Sequence, residues 1–261
     1  MKDRILVFIP AYNCENQITR VLNQLDNKVS EFIEEVIVIN NRSTDNTENV
    51  VTDYIKDTKL NIKLLRNREN YGLGGSHKVA FNYAKQNGFD YIIVLHGDDQ
   101  GNIKDLVDIL ESKTYRKYDC CLGARFKKGS KLKGYSKFRT FGNIVYNLVF
   151  SILLFMPVYD LGSGLNMYKV DIFKDEFYYK FPDNLSFNYC MIMAANYYKQ
   201  NIVFFPISWR EEDQVSNVKL FNQASFVMKM LFSYFINRKK FMSQDHREKK
   251  YDTYNSDIIL G

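Results

Sequence analysis

The chain has 261 residues, 46% hydrophobic and 25% charged, a balance that excludes a disordered or fibrous protein and suffices for one sizeable α/β domain. Its net charge is only +6, with Lys and Arg scattered among acids; this excludes the basic stripe of a nucleic-acid binder and favours small anionic ligands or lipid headgroups. Cys14, Cys120, Cys121 and Cys190 form no C-x-x-C pair, so neither a zinc site nor a disulfide framework is indicated, and a reducing cytosol is the expected compartment.

The opening run MKDRILVFIPAYN reads as a first strand over Ile5 to Ile9, not as a signal peptide. Ile18, Val21, Leu22 and Leu25 then recur at helical spacing. Val36 to Ile39 is the second strand, and Ser43, Thr44 and Asp45 offer N-cap chemistry to a helix burying Val50, Val51, Tyr54 and Ile55. Ile62 to Leu65 is a third strand. Gly74, Gly75 and Ser76 precede a helix carrying Val79, Ala80, Tyr83 and Ala84, with Gly88 in the C-cap position. Tyr91 to Leu95 is apolar throughout and therefore a central strand. The alternation continues to Leu122 and predicts a mostly parallel sheet covered by helices.

Beyond Cys120 the regularity loosens. A Lys- and Gly-rich loop spans Lys127 to Gly134, and an apolar helix follows Gly142. The apolar stretch from Ile144 to Val158, broken by Asn147 and Ser151, falls short of the ~18 to 20 residues that cross a bilayer, so a buried or interface-lying helix is expected. Leu165 to Tyr168 reads as a strand, Leu185 to Lys199 as a helix and Ile202 to Ile207 as the last strand. A long helix then shows Leu220, Ala224, Val227, Met228, Leu231 and Phe235 on one face and ends in Arg238, Lys239 and Lys240. Residues 1–236 are expected to form one domain and residues 237–261 a loosely ordered polar tail.

Chemistry concentrates at the ends of these strands, where open α/β sheets bind ligands. Pro10-Ala11-Tyr12-Asn13 follows strand one, in place of the G-x-G-x-x-G of dinucleotide-binding folds, and no P-loop is present. Asn40-Asn41-Arg42-Ser43-Thr44-Asp45-Asn46-Thr47 follows strand two. Asn70-Tyr71-Gly72 with Gly74-Gly75 opens the next helix, and His96-Gly97-Asp98-Asp99-Gln100 ends the central strand. Later come Gly123-Ala124-Arg125, then Arg139, Gly142, Asn143 and Asn147, then Asp160-Leu161-Gly162-Ser163-Gly164, and finally Trp209-Arg210-Glu211-Glu212.

In order and spacing these blocks resemble the P-x-Y-N, D-D-G-S-x-D-x-T, N-x-G-x-G-x-A and D-x-D-x-Q motifs of family 2 glycosyltransferases, and the later blocks resemble its dolichol- and polyprenyl-phosphate branch. Asn40 and Asn41 stand where that family has its leading acids, and His96 where its first metal-motif Asp would be. The resemblance implies a GT-A fold, Rossmann-like, with a C-terminal helical section. It implies that a UDP- or GDP-linked nucleotide sugar is held by Pro10, Tyr12, Asn13, Asn40, Asn41, Ser43, Asp45, Asn70, Gly72, Gly74 and Asp98, the two glycines letting backbone approach the diphosphate. A Mg²⁺ or Mn²⁺ ion would be held by Asp98, Gln100, His96 and Asp99 to neutralise the departing nucleoside diphosphate. Arg125 and Arg139 would grip an acceptor phosphate, although both are equally readable as structural ion-pair partners. A hydroxyl acceptor would instead need a carboxylate base, either Asp160 or Glu211. The expected activity is sugar transfer to a membrane-borne acceptor, most simply a polyprenyl phosphate, at the cytoplasmic face of a membrane with peripheral attachment. A saccharide acceptor in capsule or lipopolysaccharide synthesis and an inert nucleotide-sugar-binding scaffold are the alternatives.

Overall fold

The computed structural model describes residues 2–212 and 220–261. In chain order, β1 (Ile5–Ala11) leads to α1 (Ile18–Leu22) and α2 (Asn27–Ser30), β2 (Glu35–Asn40) to α3 (Thr47–Asp57), and β3 (Ile62–Asn67) to α4 (Gly72–Gln86). Next come β4 (Tyr91–Leu95), α5 (Val107–Glu111), β5 (Cys120–Ala124), β6 (Lys131–Lys133), α6 (Lys137–Leu154) and β7 (Leu165–Lys169). The remainder is α7 (Phe187–Tyr197), β8 (Ile202–Pro206), β9 (Ser208–Arg210), α8 (Leu220–Ile236), α9 (Arg238–Ser243) and β10 (Ser256–Leu260).

The main sheet has eight strands in the order β10-β3-β2-β1-β4-β7-β5-β8. Only β7, inserted between β4 and β5, and β10, at the edge beside β3, run antiparallel to their neighbours. Successive side chains on a strand point to opposite faces, and both faces are apolar. Leu6, Phe8, Ile37, Ile39, Ile92 and Val94 pack with α4, α7 and α8, while Ile5, Val7, Ile9, Val36, Val38 and Ile93 pack with α1, α3 and α5. This two-sided burial is why β1, β2 and β4 read as continuous aliphatic runs.

Of the later helices, α6 starts earlier than expected, at Lys137, and α8 buries a different face from the one expected. In α6 only Asn147, Phe150 and Leu154 are buried, and Phe138, Phe141, Leu148 and Ile152 stand exposed. On α8 the buried face carries Val227, Met230, Leu231 and Tyr234, whereas Phe235 is exposed; the side chains of Leu220 and Ala224 lie outside the described residues. Among the described residues no helix is long and apolar enough to cross a membrane.

Residues 237–261 are not a loose tail. They hold α9 and β10, and β10 extends the sheet by pairing with β3, Asp257 opposite Arg66. The approach to β10 is anchored by Lys78 of α4, whose side chain is fully buried. Its ammonium donates to the Phe181 carbonyl and to Asp183 Oδ1, both at 2.6 Å, and to the Tyr254 hydroxyl at 3.1 Å. Tyr71 packs edge-on against Tyr251 and Tyr254. The polarity of the segment hides this attachment, because the interactions that order it are hydrogen bonds to buried partners distant in sequence.

Burial pulls the Lys78 ammonium down to about 8, against the opposing pull of Asp183. Its unfolded value is 10.5, so between the two the unfolded chain binds the extra proton and this lysine's contribution makes the fold more stable as pH rises. A Lys78→Met chain should lose about 3 kcal/mol at pH 7, since Asp183 and Phe181 lose a shared donor. Urea unfolding read between pH 7.5 and 10 should also show a shallower rise than in the parent; equal slopes would place the titration of Lys78 elsewhere.

Candidate active site

Because β1 pairs in parallel with both β2 and β4, the exits of these three strands lie side by side. The Pro10 carbonyl accepts from Gly97 N at 3.1 Å and ties the β1 exit to the β4 exit. The loops after β1 and β2 are stitched to each other. Asn13 N donates to Ser43 Oγ and Thr44 N to Asn13 Oδ1, at 3.0 and 2.8 Å. Cys14 N donates to Thr47 Oγ1 at 2.9 Å and Glu15 N to Asp45 Oδ2 at 3.1 Å. Asp45 also accepts from Thr47 N and Oγ1, so it satisfies the first N–H of α3 as well as joining the loops. Burial alone would raise its carboxyl, but the bonds from Thr47 and Glu15 outweigh that and hold it below its ordinary value. Tyr12 stands half-exposed above this platform.

The two asparagines that replace acids at the end of β2 are occupied by the protein itself. Asn40 donates to Glu48 Oε2 at 2.6 Å and accepts from Ser43 N at 2.9 Å. Asn41 donates to Asn70 Oδ1 at 2.8 Å and accepts from Asn67 Nδ2 and Tyr71 N, both at 2.9 Å. Together they brace the loops that follow β2 and β3. The carboxylate missing from the strand end is supplied nearby by Glu48, which also pairs with Arg66 at 3.2 Å.

Gly72 and Gly74 are points where another part of the chain comes close. A Cβ on Gly72 would lie 2.5 Å from the Asp183 carbonyl oxygen, and one on Gly74 would lie 2.4 Å from that of Pro182; Gly74 N donates to Asp183 O at 2.7 Å. The chain's own 182–187 segment thus packs against the Cβ side of both glycines.

At the β4 exit, His96 N donates to Gly164 O at 2.9 Å and the imidazole Nε2 is buried with no hydrogen-bond partner. Burial first, and the Arg125 charge second, pull this imidazole down to about 4, so it is neutral. Asp98 accepts from Gln100 N at 3.2 Å, and burial raises its carboxyl to about 6 despite that bond. Asp99 is a correction to the expected ligand set. It adopts a left-handed backbone, φ 58°, and its carboxylate is bound by Arg20 at 2.6 Å, by Gln24 at 2.9 Å and by Arg210. Two guanidiniums consume it, so it pins α1 and β9 to the site instead of meeting a metal.

The described residues hold no group of three His, Cys, Asp or Glu that forms a protein-only cation cage. Asp98, Gln100 and the unpartnered nitrogen of His96 fit the open kind of site, where one carboxylate is completed by substrate phosphates.

On the far side of β4, Arg125 and Asp160 neutralise each other. Arg125 Nε and Nη2 donate to the two Asp160 oxygens at 2.8 Å each, and Arg125 N adds a third bond at 2.8 Å. Both side chains are buried. Asp160 is therefore not available as a base, and Arg125 is not a free phosphate clamp. The second pair joins Arg139 Nη1 to Glu211 Oε2 at 2.5 Å. The Tyr135 ring links the two pairs, with the Arg139 guanidinium 4.7 Å and the Arg125 guanidinium 5.9 Å from its centroid. Trp209 lies under Arg125 at 4.9 Å, its buried indole N–H without a partner.

Sequence reasoning missed Arg20, Glu48, Lys78 and Tyr135. Arg20 and Lys78 lie on helices whose apolar positions draw the eye, and an isolated cation there signals nothing until its carboxylate partner, 79 or 105 residues away, is located. Glu48 had a signal in its place on the first turn of α3, one residue after the Thr47 of the strand-two motif.

Residues 6–177 match the family model described as Glycosyl transferase family 2. An uncharacterized protein of Methanocaldococcus jannaschii is 26% identical over 238 residues, covering 87% of this chain and 99% of that protein. The UDP-N-acetylglucosamine–dolichyl-phosphate N-acetylglucosaminyltransferase of Methanococcus voltae is 23% identical over 186 residues, covering 67% of this chain and 73% of that enzyme. The solved structure of the mannosyltransferase PcManGT from Pyrobaculum calidifontis, in complex with GDP-Man and Mn²⁺, is similar with a TM-score of 0.60 at 13% identity, over 91% of this chain and 64% of that one. The last likeness shows a shared GT-A fold.

If Arg125 and Asp160 are mutual structural partners, Asp160→Asn should lower unfolding stability by about 3 kcal/mol, because a buried guanidinium is left uncompensated. Adding Arg125→Met to Asp160→Asn should restore part of the loss in a double-mutant cycle by chemical denaturation. Additive losses would show that the two residues act apart.

Proposed function

The chain belongs to glycosyl transferase family 2 and is a nucleotide-sugar-dependent glycosyltransferase, and from that premise we propose that it transfers a hexose-type sugar to the phosphate of a membrane-borne polyprenyl chain. The observation that carries this reading is the setting of Arg139. It sits in the first turn of α6 between Phe138 and Phe141, which are 78% and 67% exposed. A cation flanked by unpartnered apolar side chains suits an acceptor that is phosphate at one end and hydrocarbon at the other. The same surface continues through Leu148 and Ile152 to Phe232 and Ile236 of α8. Lys137, which opens α6, and Lys239 and Lys240, which follow α8, are exposed, as expected of a protein that lies on an anionic leaflet.

In this reading the stitched loops around Tyr12, Asn13, Ser43 and Asp45 hold the nucleoside, with Asn40, Asn41, Asn70 and Glu48 fixing their shape. Asp98, with Gln100 and His96, would hold a Mg²⁺ or Mn²⁺ ion, which would supply positive charge to the departing diphosphate. A phosphate acceptor oxygen is already anionic, so bond formation at the anomeric carbon needs no strong base. That agrees with the engagement of both Asp160 and Glu211 by arginines.

The test is turnover with UDP- and GDP-sugars and liposomes carrying a polyprenyl phosphate, with product counted in the organic phase. Asp98→Ala should lower the rate by at least about 100-fold, the scale of losing a charge-stabilising group, and EDTA should do the same to the parent. Labelled product that stays aqueous with an oligosaccharide acceptor would replace the lipid acceptor, and an EDTA-resistant rate would remove the metal.

Membrane contact has its own measurement. The parent should co-sediment with anionic liposomes at low salt and be partly released at high salt. Phe138→Ser with Phe141→Ser should weaken that binding without lowering the melting temperature, since neither ring is buried. Equal binding by parent and double variant would assign the exposed face another role.

A further inference from the structure

The two arginine–carboxylate pairs differ in kind. Arg125–Asp160 is buried, with side-chain exposures of 13% and 2%, and three hydrogen bonds hold it. Arg139–Glu211 is more open, at 27% and 15%, and a single hydrogen bond joins it. The first pair can exchange partners only by stranding charge in a low dielectric. The second borders solvent, and its guanidinium has donors to spare.

We propose that Glu211 is an internal stand-in for the acceptor's phosphate, a latch that holds Arg139 in its receiving position until an incoming phosphate displaces the carboxylate. This rests on the reading that Arg139 meets the acceptor. The parts around the pair suit the exchange. The Glu211 backbone is fixed, its N–H donating to Lys133 O at 2.9 Å and its carbonyl lying against Gly134, where a Cβ would come within 2.2 Å. Opening is therefore a side-chain rotation about a pinned backbone. Arg139 stays in place as Glu211 leaves, because its guanidinium lies over the Tyr135 ring and Asn143 Nδ2 holds the Tyr135 hydroxyl at 3.0 Å. A phosphate dianion brings more charge and more acceptor oxygens than a carboxylate, so it wins the guanidinium; a neutral sugar hydroxyl does not. Glu211 then selects for anionic acceptors and does not serve as the base that its position after β9 suggested.

Trp209, the chain's one tryptophan, lies two residues from Glu211 and reports the exchange. Inorganic phosphate is titrated against the parent, Glu211→Gln, and Glu211→Gln combined with Arg139→Gln, following tryptophan fluorescence and, in parallel, calorimetric heat. Glu211→Gln should bind phosphate about two- to fivefold more tightly, the scale of a partly exposed ion pair, and the double variant should lose the gain. With a short-chain isoprenyl phosphate as acceptor, the gain should fall on KM. Unchanged phosphate affinity overturns the latch, and so does a fall in kcat at saturating acceptor with KM unmoved, the signature of a lost base. A parent that binds phosphate, is sharpened by Glu211→Gln and yet glycosylates no isoprenyl phosphate would sink the acceptor assignment while leaving the latch intact.

Discussion

The Arg125 guanidinium, taken out of water and matched by Asp160, is the interaction around which the carboxyl edge of the sheet is arranged. A buried guanidinium demands a carboxylate with good geometry, or it costs several kcal/mol. Meeting that demand fixes the end of β5 against the loop that enters β7. The same cation stacks on Trp209 of β9, adds to the burial that keeps His96 neutral and shares Tyr135 with Arg139. Four separate stretches of chain thus take their positions from one charge. Asp99 repeats the device on the other side of β4, gathering Arg20 and Arg210 from α1 and β9. Asp98, the carboxylate we propose as the metal ligand, is the immediate chain neighbour of Asp99.

The loops proposed to receive the nucleotide are held by hydrogen bonds within the chain. Asn13, Ser43 and Asp45 spend hydrogen bonds on one another, and Asn41 joins the ends of β2 and β3 to the start of α4. Ordering loops in advance removes part of the entropy cost from the binding step. It also gives the motif residues two tasks, since Asp45 satisfies the first N–H of α3 and clamps a loop with the same carboxylate.

Much of this was legible in the sequence, and the exceptions have a common cause. Strands β1 to β4 announce themselves because both faces of the sheet are covered, so each reads as an aliphatic run ending in polar residues. The short run Ser256–Leu260 does not, since an edge strand needs only one well-packed face and its partner in β3 is far back in sequence, as Asp257 opposite Arg66 shows. Spacing located the cluster from His96 to Gln100 but could not tell Asp98 from Asp99; a left-handed backbone at the second turns its carboxylate onto the arginines. Gly72 and Gly74 were legible as points of close approach, but not as to what approaches, because Pro182 and Asp183 carry no mark of it.

The anchoring of β10 through Lys78 bears on how the chain is made. Lys78 leaves the ribosome 105 residues ahead of Asp183 and 176 ahead of Tyr254. Until those partners emerge, α4 cannot bury that ammonium against the sheet without stranding a charge. The first strands can align early from local contacts, but final docking of α4, and with it the Asn70–Tyr71 entry to that helix, waits for Phe181 and Asp183. A nascent chain that has not yet released Asp183 therefore holds the start of α4 undocked.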